Sequence, residues 1–239
     1  MFSNGVDSAG QSSFARLAAR ATSATALIDL GCGSGRLLQI CEQLNPCAQK
    51  LGVDLSRAEL QVASSHLPRV QFVQARAQAL PLRADSVDCV LCHMALMLMD
   101  DPEHVLAEAS RVLRRGGVFA AVTQRQTTPD ATARRIVTAL RPIWDRMEGD
   151  ALPPPLGDVR TTDATAFRGL AASWFPEVRI DSFDLVQPIE RTELPSFLSE
   201  ALYGIDALPP QDIAEVFGEL DLPDQVWWTT PMLHLSARA

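Results

Sequence analysis

A chain of 239 residues with 47% hydrophobic and 21% charged side chains can bury the core of one compact domain and has a globular composition. Its formal net charge of −8 repels polyanions on average, which argues against a nucleic-acid partner. There is no apolar run of about 18 residues to span a membrane, and MFSNGVDSAGQSSFARL lacks the basic-then-apolar order of a secretory signal, so a cytoplasmic protein, monomer or homodimer, is expected.

Between residues 26 and 123 short apolar runs alternate with amphipathic stretches. ALIDL (26–30) reads as the first strand, followed by a glycine turn and the helical GRLLQICEQLN, which stops at Asn45-Pro46. KLGVDL (50–55) and VQFVQA (70–75) read as strands, with the helical SRAELQVASSHL between them. SVDCVLCHMAL (86–96) reads as the fourth strand. Asp101 is a natural N-cap with Pro102 at the first helical position of EHVLAEASRVLRR, and Gly116-Gly117 is expected to stop that helix before the strand GVFAAVT (117–123). Apolar strands separated by helices imply parallel pairing with both sheet faces covered.

The five cysteines fall within the first 92 residues, unlike an extracellular disulfide framework. Cys89 and Cys92 form a C-x-x-C inside the predicted fourth strand, where side chains three apart face opposite ways and cannot share a metal ion. Core cysteines and no metal site are expected. The arginines at 111, 114 and 115 and at 134, 135 and 141 read as solvated helix faces.

After residue 124 the character changes. TTPDATARRIVTALRPIWDRM is helical in pattern with a break expected at Pro142, and Ala151 to Gly157 carries three consecutive prolines, a stiff loop. A helix from Asp163 to Trp174 precedes the alternating strand EVRIDSFDLVQP (177–188). Two helical stretches, near 192–203 and 210–220, lead to a last strand, WWTTPMLHLSAR (227–238), compatible with antiparallel pairing. The whole reads as one domain: a core of about 25–123 plus 177–188 and 227–238, with insertions at about 124–172 and 189–226 capping it.

The sharpest motif is IDLGCGSGR, residues 28–36. It sits where the first strand passes into the first helix, the edge at which open α/β sheets bind ligands. Its glycines at 31, 33 and 35 allow positive φ and let a ligand approach the backbone. A dinucleotide fingerprint needs glycine at 36, where this chain has Arg36, and no G-K-[ST] follows to make a phosphate loop.

IDLGCGSGR resembles the first motif of the class I, Rossmann-like S-adenosylmethionine-dependent methyltransferases. LGVDLS, ALPLRADSVDCVLCHMAL and DPEHVLAEASRVLRRGGVF are similar to the later blocks of that family, in the same order. The resemblance covers about residues 25–123 and implies an α/β fold: a seven-stranded, mostly parallel sheet with helices on both faces and an antiparallel last strand. It also implies S-adenosylmethionine as cofactor, S-adenosylhomocysteine as product and a small-molecule acceptor methylated at O, N, S or C, as in secondary metabolism. By the same resemblance Asp54 takes both ribose hydroxyls, Asp29 orders the turn and reaches the methionine amino group through water, and Gly31 and Gly33 pass their backbone close to the methionine end. Cys32, Gly35, Leu55 and Cys92 complete the implied surroundings.

One position departs from the pattern. Relatives carry an acidic residue after the third strand to accept from the adenine amine, and this chain has Arg76, whose guanidinium cannot accept. Backbone groups at Arg76 and Ala77, or the Gln78 side chain, are the expected substitutes.

Methyl transfer from a sulfonium is an in-line displacement in which the protein mainly aligns the acceptor. His93, at the end of the fourth strand, is the candidate catalytic residue, either as general base or as pocket wall. His66, His104 and His234 read as a helix end, a helix face and an edge strand. Met94, Met97 and Met99 read as packing or as a soft acceptor lining, and Trp144, Trp174, Tyr203, Trp227 and Trp228 fall in the half where relatives build the acceptor pocket. A nicotinamide-dependent oxidoreductase and a non-catalytic methyltransferase-like subunit are the rival readings.

Overall fold

The computed structural model describes residues 5–127, 131–146, 157–201 and 210–239. Seven strands form one sheet in the order β3-β2-β1-β4-β5-β7-β6. β1 (Ala26–Leu30), β2 (Gln49–Asp54), β3 (Gln71–Gln74) and β4 (Val87–His93) pair in parallel, and β4 pairs in parallel with β5 (Leu113–Gln124). β7 (Gln225–Arg238) runs antiparallel to both β5 and the edge strand β6 (Glu177–Glu190). The chain therefore has the seven-stranded, mostly parallel sheet expected of it.

Alternation along each strand divides the core. Ile28, Leu30, Val90 and Cys92 pack on one face with α4 (Pro102–Val112) and α6 (Ala164–Ala172). Leu27, Cys89 and Leu91 pack on the other with α1 (Ser13–Ala18), α2 (Arg36–Leu44) and α3 (Arg57–His66). Cys89 and Cys92 thus lie on opposite faces, and no metal-capable cluster of His, Cys, Asp or Glu occurs among the described residues. A third apolar cluster joins α5 (Ala131–Arg146), α7 (Leu194–Ala201) and α8 (Pro210–Glu219) to the ends of β6 and β7.

Several expectations are corrected. α4 ends at Val112, not at the glycine pair: Leu113 is already extended at ψ 136 and pairs with Val87, so β5 begins there, and Gly116 (φ 77) turns the chain within it. β4 ends at His93, because Met94 takes a left-handed φ of 54 and a 3-10 turn follows at Leu96–Leu98. α5 continues through Pro142. β7 is an inner strand, so His234 is not at an edge; it is 2% exposed, between Val122 and Asp181. The triple-proline loop, Tyr203 and the Trp144 side chain lie outside the described residues.

Candidate active site

A cavity of about 350 Å³ opens at the carboxyl ends of β1, β2 and β4. A larger one, about 620 Å³, lies at the opposite edge, where β4, β5 and β6 begin, lined by Arg20, Arg114, Arg115, Arg179 and Arg238 among others. Loops after parallel strands, not before them, gather ligand-binding groups, and the smaller cavity is the one beside the glycine turn.

That turn is built from the backbone outward. Gly31 and Cys32 both donate their N–H to Val53 O, at 2.8 and 3.1 Å, which ties the turn to the end of β2. Gly31, Gly33 and Gly35 have φ of 68, 50 and 87, which only glycine adopts without strain. Their surroundings differ. A Cβ on Gly31 would overlap Ala95 Cβ, and one on Gly35 would lie 2.9 Å from Leu67 Cδ1. One on Gly33 would meet only Glu59 Oε2, at 3.7 Å, so space is open above that glycine.

Asp54 lines the cavity, with Oδ2 accepting from Gly33 N and Oδ1 from Ser56 N, each at 2.8 Å. Those bonds fix the carboxylate and leave each oxygen a further lone pair. Asp29 is 1% exposed within β1, and its Oδ1 has no hydrogen-bond partner. Burial, helped by the charge of Asp54, pushes its carboxyl well above the usual carboxylate range.

The remaining expected residues divide. Gly31, Leu55, Arg76, Ala77, Gln78 and His93 line the cavity with Asp54. Gly33 borders it through its bond to Asp54. Cys32 and Cys92 do not line it: both are buried, Cys92 completely, and burial pushes the Cys32 thiol up and the Cys92 thiol to about 12. Neither supplies a thiolate near neutral pH. Gly35 serves the packing of α2 on α3.

His93 is held by a segment that sequence reasoning read only for targeting signals. Its Nε2 lies 2.9 Å from Ser13 Oγ, and its ring stacks on Phe14 at 3.7 Å between centroids. Burial pushes the imidazole down to about 3, so it is neutral at physiological pH. α1 has only 6 residues, too few for a periodic signal; the one clue was Ser12, an N-cap ahead of Phe14 and Leu17. Asp100 was missed too: it lines the cavity and accepts from Arg76 Nη2 at 2.8 Å on both oxygens.

Residues 28–121 match the model of a methyltransferase domain. They thus form a methyltransferase domain, and the sheet as a whole has the class I, Rossmann-like fold. The chain is 28% identical over 159 residues to the malonyl-[acyl-carrier protein] O-methyltransferase of Methylococcus capsulatus, covering 65% of this chain and 54% of that protein. It is 30% identical over 173 residues to the trans-aconitate 2-methyltransferase of Paracidovorax citrulli, covering 72% and 59%. The match therefore spans little more than half the length of these curated relatives. A solved candidate Type II methyltransferase from Anaeromyxobacter dehalogenans shares the fold with a TM-score of 0.64 at 21% identity, over 94% of each chain. No helix among the described residues is long and apolar enough to cross a membrane.

Proposed function

We propose that this protein transfers a methyl group from S-adenosylmethionine to an O, N, S or C atom of a small-molecule acceptor. The observation that carries the reading is the glycine turn at the binding edge of the sheet, where Asp54 lines the cavity and Asp29 is buried in β1 with an unpartnered oxygen. A buried polar atom without a partner costs about 1–3 kcal/mol, more if charged, and a ligand ammonium group offsets that cost. The cofactor brings the electrophilic methyl and its sulfonium leaving group; the protein supplies alignment and exclusion of water.

Asp29 holds the amino group of the cofactor's methionine portion, and the Gly31–Gly33 backbone leaves room for it. Asp54, pre-oriented by Gly33 N and Ser56 N, accepts from the ribose hydroxyls. Leu55 and Leu98 line the cavity although 63% and 49% exposed, and give a flat base apolar contact. His93 faces the acceptor. In the tautomer whose Nε2–H donates to Ser13 Oγ, Nδ1 is the nitrogen open to a hydrogen bond or proton from the acceptor. Both curated relatives are named as methyltransferases, which supports methyl transfer here.

Calorimetry with S-adenosylmethionine, S-adenosylhomocysteine and NAD tests the reading. Binding of the first two and not the third is expected, with Asp54→Ala weakening both by about tenfold or more in a folded protein. Binding of NAD alone would replace methyl transfer with hydride chemistry. Binding without turnover on any pool of metabolites would leave a cofactor-binding subunit.

A further inference from the structure

We propose that Asp100, presented by Arg76 and Gln78, is the carboxylate that accepts from the adenine 6-amino group, a role that position 76 cannot perform here. The inference rests on S-adenosylmethionine being the ligand of this cavity. Arg76 follows β3 and has donors only. It donates Nη2 to both oxygens of Asp100 at 2.8 Å, while Gln78 Nε2 bonds the Asp100 main-chain oxygen at 2.5 Å and its Oδ1 at 3.1 Å. Two side chains of the β3 loop thus draw an aspartate from the β4–α4 loop to the wall of the cavity.

The neighbouring aspartates divide the work. Asp101, at φ 51, turns its carboxylate to the helix, accepting from His104 N at 3.3 Å and meeting His104 Nδ1 at 2.6 Å. Asp100 turns to the cavity, which it lines with Ala77 and Leu98. Oδ2 of Asp100 has Arg76 alone as partner, and its side chain is 76% exposed, so an acceptor lone pair is free. An exposed Arg–Asp pair adds little to stability, about 0–1 kcal/mol, but it fixes where that oxygen sits. Arg76 is therefore a positioning residue for Asp100, although it also lines the cavity.

The test compares two probes by calorimetry: S-adenosylhomocysteine, and its analogue in which hydrogen replaces the 6-amino group while N1 stays an acceptor. The native protein is expected to bind the amino form about tenfold tighter, the worth of one charge-assisted hydrogen bond. Asp100→Ala should bring the two affinities within about threefold of each other, by weakening the amino form alone. Arg76→Ala should weaken the amino form more than the analogue, narrowing the ratio between them. Asp100→Asn, which keeps the shape of the loop, should fall between native and Asp100→Ala. A ratio that survives Asp100→Ala overturns the assignment, and its loss in Gln78→Ala but not Asp100→Ala moves the role to Gln78. Equal native affinities overturn it while leaving the cofactor reading intact; failure of the native protein to bind either probe removes both.

Discussion

The sheet has two halves built in opposite styles. Around the ends of β1, β2 and β4 the chain departs repeatedly from rest geometry. Gly31, Gly33, Gly35, Met94 and Asp101 have positive φ, and Asp29 is buried with an unpartnered oxygen. β6 and β7, in contrast, pair without interruption from Glu177↔Arg238 to Glu190↔Gln225, and no residue described from 177 onward has positive φ. The regular half gives the sheet its longest ladder. The irregular half holds two non-glycine residues in the left-handed region, at about 1–3 kcal/mol each, and a buried oxygen that a ligand could satisfy. Two residues test the contrast from opposite sides: Asp29, buried in β1 just before the glycine turn, and His234, buried in β7 between β5 and β6.

The largest expected effect is at His93, whose ring joins α1 to the cavity. His93→Ala should lower kcat about 10²–10⁴-fold and leave cofactor affinity nearly unchanged. Burial holds the imidazole near 3, so the native rate should show no acid limb from this group between pH 5 and 8, and the mutant's deficit should shrink at high pH, where the acceptor ionises unaided. A mutant that mainly raises the acceptor KM at every pH would make His93 a wall.

Asp29→Asn comes next and should separate function from stability. Losing the carboxylate should weaken S-adenosylhomocysteine by about 10–100-fold, the worth of a buried charge-assisted contact. The free protein should melt higher. Because the native carboxyl is raised, the folded state binds the proton more tightly than the unfolded chain, and native stability falls as pH rises above the unfolded value near 3.8. The asparagine avoids that loss, so its gain should be clear at pH 7.5 and absent near pH 3.5. A destabilised mutant with normal affinity would make Asp29 purely structural.

The glycines sharpen the comparison within one motif. Gly33→Ala should weaken the cofactor about tenfold while costing the fold about 1–2 kcal/mol for its left-handed backbone, since its Cβ meets only Glu59 at 3.7 Å. Gly35→Ala should do the reverse. Its Cβ presses on Leu67 and Ala63, so stability falls by more than the backbone term while the affinity of the folded fraction holds. Thermal melts and calorimetry on both variants read the crossover.

Those glycines mark how far the sequence could be read. Alternation and turn residues placed β1 at 26–30, Asp101 as the cap before Pro102, and the last two strands within a few residues. Local chemistry specifies such features. What G-x-G-x-G cannot say is which glycine faces a ligand and which a helix, because Leu67 and Ala63 arrive through tertiary packing. Ser13 reaches His93 across 80 positions, and Asp100 meets Arg76 across 24. Neither pairing has a period or a cap to announce it. The expected glycine stop after α4 failed because Leu113 pairs with Val87, and strand pairing overrode the local signal.

The smallest effect concerns His234, which challenges the rule that unsatisfied groups mark sites. Both ring nitrogens lack a partner, it is 2% exposed, and burial pushes it down to about 4, the charges of Arg20 and Arg16 adding to that. If the regular half is scaffold alone, His234→Leu should leave cofactor affinity and turnover untouched and raise stability by about 1 kcal/mol at pH 7.5, because an apolar side chain has no hydrogen bond to miss. The gain should grow on acidification. Below about 6.5 the unfolded chain protonates this histidine and the native state does not, so native stability drains away as pH falls toward 4, whereas the leucine variant keeps that share, about 1–2 kcal/mol by pH 5. Melting curves at pH 7.5 and 5 read both parts. A loss of turnover in a well-folded His234→Leu protein would show that the β6–β7 half reaches the chemistry, and the division between scaffold and site would fall.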